Sequence, residues 1–349
     1  MAGRIPPQTP IGDGWVSCSN FMKKYLVVTV DVEPDASSNW HYSEPLDFKA
    51  VHIGIKERLQ PLFDEWNIVP TYLINNIVLE DPSSVEVFRQ LPGRYELGTH
   101  LHPEFIEPAK IYHVYAGKKG QASCCFCPPE IEFEKIKNIT NLFQKDFGYQ
   151  PTAFRAGRYS AGANTVRSLA ELGYLVDTSL TPHLCWDDKS MECSLDFRNA
   201  PEQPYWTSEK DIVQEDPHGK LLEVPISIGM FSRNVLREFV VSLGGVRHDF
   251  RKYRPIWLRP YYSTADQMKK IARQYSLTYE NKDQLVLNMM FHNVELLPGL
   301  SPYTKTESEC GRYRDQLRHF FSFCVQENYS SVGLSELHHL YRNTVNLIK

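Results

Sequence analysis

The stretch Tyr25-Leu26-Val27-Val28-Thr29-Val30-Asp31-Val32-Glu33 constrains this chain most, because an apolar β-branched run ends on two carboxylates spaced i, i+2. In a strand that spacing puts both acids on one face, emerging together at the C-terminal end. Two acids side by side at the end of a buried strand are costly unless a cation or a base partner sits between them. The pair is therefore a candidate site as well as a fold signal.

Strand-like and helix-like segments alternate along the rest of the chain, which predicts a mostly parallel sheet. Helical spacing over 51–67 is followed by a strand at 69–74. A short helix over 84–91 leads into a weaker strand at 94–99. An amphipathic helix over 130–147 ends at Gly148, and a strand follows at 151–155. Asn164 reads as the cap of a helix closed by Gly173, with a short strand at 174–177. Strands at 221–228 and 284–291 flank a helix over 264–275. The chain ends with a helix over 307–326, a strand at 331–333 and a helix capped by Ser335. With 349 residues and 42% apolar content, this pattern fits one α/β domain: a single distorted (β/α) barrel of seven or eight units. Residues 106–129 and 180–221 are long irregular excursions of the kind that cover a site. Residues 22–349 are read as the barrel and residues 1–21 as a dispensable N-terminal extension.

A net charge of -4 supplies no basic field for nucleic acid. No run reaches the roughly 18 to 20 apolar residues of a membrane span, and the first twenty residues lack the apolar core of a secretion signal. A soluble, cytoplasmic protein is expected. The eight cysteines then read as reduced thiols, and the C-x-x-C of Cys124 and Cys127 as a loop cluster rather than a metal or redox motif.

Three further segments end strands. Glu96-Leu97-Gly98-Thr99-His100-Leu101-His102-Pro103 places two histidines on one strand face, as Asp31 and Glu33 are placed on theirs. In an α/β barrel such ends open on one rim, where chemistry collects. Two imidazoles and one carboxylate suffice for a three-ligand site with a fourth position left for water. Phe154-Arg155-Ala156-Gly157-Arg158-Tyr159 offers an arginine able to hold a carboxylate ionised. Phe291-His292-Asn293-Val294-Glu295-Leu296 adds a histidine after an apolar strand.

In their order and spacing these segments resemble the polysaccharide deacetylase family, also called the NodB-homology domain or carbohydrate esterase family 4, and most closely its WalW-like branch, which is associated with bacterial surface-polysaccharide loci. The resemblance covers about residues 24–345. It implies a distorted (β/α) barrel and a metal-dependent hydrolase that removes an N-acetyl group from a saccharide. Asp31 matches the catalytic base, and Glu33, His100 and His102 the ligands of a divalent metal, most often Zn²⁺. Arg155 matches the residue that orients the base, His292 the general acid, and Asp177 the carboxylate that tunes it. A backbone N–H near Tyr159 matches the group that holds the oxyanion. The chain departs from the family's usual pattern by spacing its histidines i, i+2 rather than i, i+4 and by separating its two acids with Val32. Two other readings are a barrel that only binds a saccharide and a hydrolase of another non-peptide C–N bond.

Overall fold

A computed structural model describes residues 22–110, 123–186, 195–232 and 253–346. The expected extension over residues 1–21 lies outside the described residues. Among the described residues the strands are β1 (Lys23–Val32), β2 (Pro70–Asn75), β3 (Glu96–Leu101), β4 (Ala153–Ala156), β5 (Val176–Asp177), β6 (Tyr205–Trp206), β7 (Leu222–Glu223), β8 (Ile228–Ser232), β9 (Tyr253–Trp257), β10 (Gln284–His292) and β11 (Tyr329–Ser331). The main sheet runs β10-β1-β2-β3-β4-β5-β7-β6, and all its pairings are parallel except β6 with β7. Helices between successive strands cover its outer face, so the sheet curls into the expected distorted barrel.

The distortion has a local cause. A single strand over 221–228 was expected, but the ladder stops at Glu223. Pro225 has no N–H to donate, and the chain beyond it crosses the gap between β7 and β10. Ser227 N–H donates to Asn288 O (3.0 Å), and Asn288 N–H donates to Ser227 Oγ (2.9 Å). β8 then leaves the barrel to pair antiparallel with β9. Elsewhere the helix ends shift slightly. Gly162, not Asn164, holds the N-cap position of Ala163–Glu171, and the last helix, Leu334–Asn346, receives the Glu96 carboxylate on the Ser335 N–H (3.1 Å) rather than a cap from Ser335.

Side-chain parity decides what faces the lumen. On β1 the even residues Leu26, Val28, Val30 and Val32 pack outward against the helices, in one core with Phe63, Phe143 and Phe321. The odd residues Tyr25 and Val27 face inward, where they meet Leu73, Ala153, Val176, Leu222 and Val286, with Leu334 and Leu337 of the last helix closing the bottom. Each fully buried Val, Leu or Phe among them contributes about 1.5 to 3 kcal/mol of apolar burial. The lumen is narrow: a Cβ on Gly98 would lie 2.5 Å from Ala153 O. Following the same parity upward gives a polar layer of Thr29, Arg155, Thr178 and Asn288, and then Asp31, His100 and His292 at the rim.

Candidate active site

The register carries the site. Asp31 on β1 stands opposite His292 on β10, and His100 on β3 opposite Arg155 on β4. Glu33 and His102 continue the lumen parity just past the ends of β1 and β3. The sequence-expected Asp31, Glu33, His100, His102, Tyr159 and His292 all line one cavity of about 370 Å³. Arg155 lies beneath it, fully buried.

Arg155 is held from three sides. Its Nε donates to Thr178 O (2.8 Å), one terminal nitrogen to Thr29 Oγ1 (2.7 Å), and the other to Asp31 Oδ1 (2.6 Å). Burial alone would push the Asp31 carboxyl up, but the Arg155 guanidinium, with His100 and His292 nearby, holds it below the ordinary range. Oδ2 is left facing the cavity, 3.9 Å from His100 Nε2 and 3.8 Å from His292 Nε2.

Glu33, His100 and His102 converge on one point despite the i, i+2 spacing. Glu33 Oε1 is 3.3 Å from His100 Nε2 and 3.0 Å from His102 Nε2, and the two Nε2 atoms are 3.1 Å apart. Two donors at about 2.1 Å from a tetrahedral zinc lie roughly 3.4 Å apart, so this donor set has nearly the spacing a metal ion needs. Among the described residues it forms the one group of histidine, cysteine or acidic side chains able to hold a metal. His100 Nδ1 faces Arg155 O at 3.1 Å, which places its proton there and leaves Nε2 for a cation. Burial raises the Glu33 carboxyl, but hydrogen bonds from His100 and His102 bring it well below its ordinary value. Burial would lower the His102 pKa, yet Glu104 and Glu33 raise it to about 9, so a metal must displace a proton from this ring.

Asp177 does not join the site. Val176 and Thr178 take the lumen face of that segment, so Asp177 points the other way, receives the Ser179 hydroxyl on Oδ1 (2.6 Å) and stands beside Glu223 of β7. Burial raises Asp177 to about 6 against the hydrogen bonds from Ser179 and Glu223 that lower it, and burial together with the neighbouring Asp177 raises Glu223 well above its ordinary value. The carboxylate at His292 is Glu295 instead, with Oε1 3.1 Å from His292 Nδ1. Glu295 also accepts from Tyr313 (2.8 Å) and pairs with the buried Arg259, whose guanidinium lies 3.0 Å from the same ring nitrogen. Burial would raise Glu295, but Arg259, His292 and Tyr313 lower it. The i, i+3 spacing from His292 was a usable signal for Glu295. Arg259 had none.

The rim is aromatic. Trp40 packs on His292 at 4.9 Å between ring centroids, Tyr159 stacks on Trp186 at 5.7 Å, and Arg259 lies over the rings of Tyr262 and Tyr303. Arg158, Tyr159 and Trp40 adopt left-handed backbone conformations with φ of 55, 55 and 63°, a strain that clusters at functional sites. The Cys124 and Cys127 thiols play no such part. Burial raises both, Cys127 to about 11, so neither is a ready thiolate. Cys125 corrects the expectation of eight reduced thiols: it is disulfide-bonded. No described helix is long and apolar enough to cross a membrane.

No protein-family model matches the chain, and no curated protein matches it. Solved structures share its fold. One, from Mycobacterium smegmatis, is provisionally described as a polysaccharide deacetylase; it is 14% identical over 98% of this chain and 96% of that one, with a TM-score of 0.52. A second, from Parabacteroides distasonis, is provisionally described as a glycoside hydrolase/deacetylase, at 10% identity over 93% of this chain and 72% of that one, with a TM-score of 0.56. A third, from Pseudomonas aeruginosa PAO1, is provisionally described as a polysaccharide deacetylase, at 13% identity over 92% and 91%, with a TM-score of 0.50. At these identities the likeness is one of fold, and the barrel expected from the sequence is that fold.

Proposed function

We propose that this chain is a metal-dependent hydrolase that removes an N-acetyl group from a saccharide, in the WalW-like branch of the polysaccharide deacetylases and in surface-polysaccharide metabolism. The observation that carries the reading is the convergence of Glu33, His100 and His102 beside a carboxylate that Arg155 keeps ionised. A divalent cation held there, Zn²⁺ by the chemistry of the donors, would act as a Lewis acid on the amide carbonyl and acidify water.

The protein's own groups supply the rest. Asp31 Oδ1 is occupied by Arg155, so Oδ2 is the atom that takes the proton from the attacking water. His292 Nε2, on the opposite side of Oδ2 from His100, is placed to deliver a proton to the departing amine. Glu295, accepting from Nδ1, holds the imidazole in the orientation and tautomer that this requires. Tyr159 also lines the cavity, and the aromatic rim offers flat apolar faces against which a sugar ring packs.

The test is acetate release from a panel of N-acetylated saccharides. Activity that falls by about 10²- to 10⁴-fold in Asp31→Asn, the range for loss of a general base, supports the reading. Absence of acetate from every saccharide, with binding retained, would replace it with the saccharide-binding barrel.

A further inference from the structure

β3 ends at Leu101, so the His102 ring is carried by the turn that follows and not by the sheet. Successive same-face residues on a strand are roughly 6.6 Å apart, yet the His100 and His102 ring centroids are 4.8 Å apart and nearly perpendicular. Something pulls His102 back over the site. Gly157 gives it room, since a Cβ there would lie 2.9 Å from the ring. The turn Pro103–Phe105 then sets Glu104, fully buried, against the far side of the ring. Glu104 Oε1 is 3.6 Å from His102 Nδ1 and 2.7 Å from an Arg158 terminal nitrogen, while the other Arg158 nitrogen lies 3.1 Å from Nδ1.

The turn is itself tied down. Lys135, 2% exposed, donates to the carbonyls of Pro103 (2.8 Å) and Ile106 (2.6 Å), and Asn76 donates to Phe105 O (3.1 Å). Burying an ammonium against carbonyls is expensive, and the bonds it makes fix the one turn that carries both His102 and Glu104.

A ring that binds a cation through Nε2 carries its proton on Nδ1, and that proton needs an acceptor. Arg158 has only donors. Glu104 is the acceptor within reach of a small ring rotation.

We infer that Glu104 is a positioning residue for the metal site, accepting the Nδ1–H of His102 so that Nε2 points at the cation, with Lys135 locking the turn that holds the two together. The inference rests on the metal reading above and explains how histidines two residues apart serve one ion.

The test is zinc affinity of the full chain by competition with a chelating dye, beside the unfolding temperature measured without added metal. Glu104→Gln is expected to weaken zinc binding about 10- to 100-fold with little change in metal-free unfolding temperature. Lys135→Met, which leaves every ligand and Glu104 in place, is expected to weaken it by a smaller factor. Should Glu104→Gln fail to fold, Lys135→Met decides the matter. Tight zinc binding by the wild type, unchanged in the variant that decides, overturns the inference and leaves the metal reading standing. Absence of zinc binding by the wild type overturns both.

Discussion

Among the described residues two pairs of acids stand at the ends of buried strands, and their carboxyl pKa values are shifted in opposite directions. Asp31 and Glu33 face the lumen, where Arg155 and the histidines overcome the cost of burial and keep both ionised. Asp177 and Glu223 face outward, where Ser179 Oγ and the Leu180 N–H are the donors in contact, burial raises both acids, and Asp177 raises Glu223 further. Burial is nearly the same for all four. What differs is the set of partners, and that set follows from which parity of the strand the residue occupies. An acid at a strand end keeps its charge through burial only when the lumen supplies cationic or hydrogen-bonding partners to hold it.

The comparison breaks most visibly at Arg155. Arg155→Met leaves the Asp31 carboxylate buried and unpaired, so it should cost about 3 to 5 kcal/mol of stability, measured by denaturant unfolding. It should also shift the acid limb of the pH–rate profile upward as Asp31 loses the group that lowers its pKa. A smaller loss is expected from Gly157→Ala, whose new methyl meets the His102 ring. Strain of about 1 to 3 kcal/mol, taken up by displacement of that ring, should appear as weaker zinc affinity with the fold retained.

The smallest effect concerns the outward pair and has the opposite sign in pH. The lumen acids have depressed folded pKa values, so their stabilisation is present above the ordinary carboxylate range near pH 4 and is lost as pH falls through the folded values. The outward pair has raised values, so its contribution is lost as pH rises from about 4 through the Asp177 value of about 6. Asp177→Asn should flatten that decline in unfolding temperature over pH 4 to 7 while acetate release stays near wild type. A large fall in activity would return Asp177 to the role expected of it from the sequence.

Most of the site was legible because its residues obey a two-residue period at strand ends. Asp31 with Glu33 and His100 with His102 each announce a shared face, and the flanking apolar runs announce burial. Asp177 misled for the same reason: its strand has two residues, too few for parity to be read, and only the inward packing of Val176 fixes it. The barrel was legible from strand and helix alternation, whereas the break at Pro225 and the departure of β8 depend on pairing across the closing gap. Glu104 and Lys135 carry no local signal, since their meaning comes from a turn and a helix that meet only in the folded chain.

In the proposed function two neighbouring acids divide the labour, Glu33 holding the cation and Asp31 moving the proton. Elemental analysis of the purified wild type, Asp31→Asn, Glu33→Ala and His100→Ala tests it directly. The expected result is one zinc per chain in the wild type and in Asp31→Asn, with the metal lost from Glu33→Ala and His100→Ala. Zinc retained in Glu33→Ala but lost from Asp31→Asn would contradict the account.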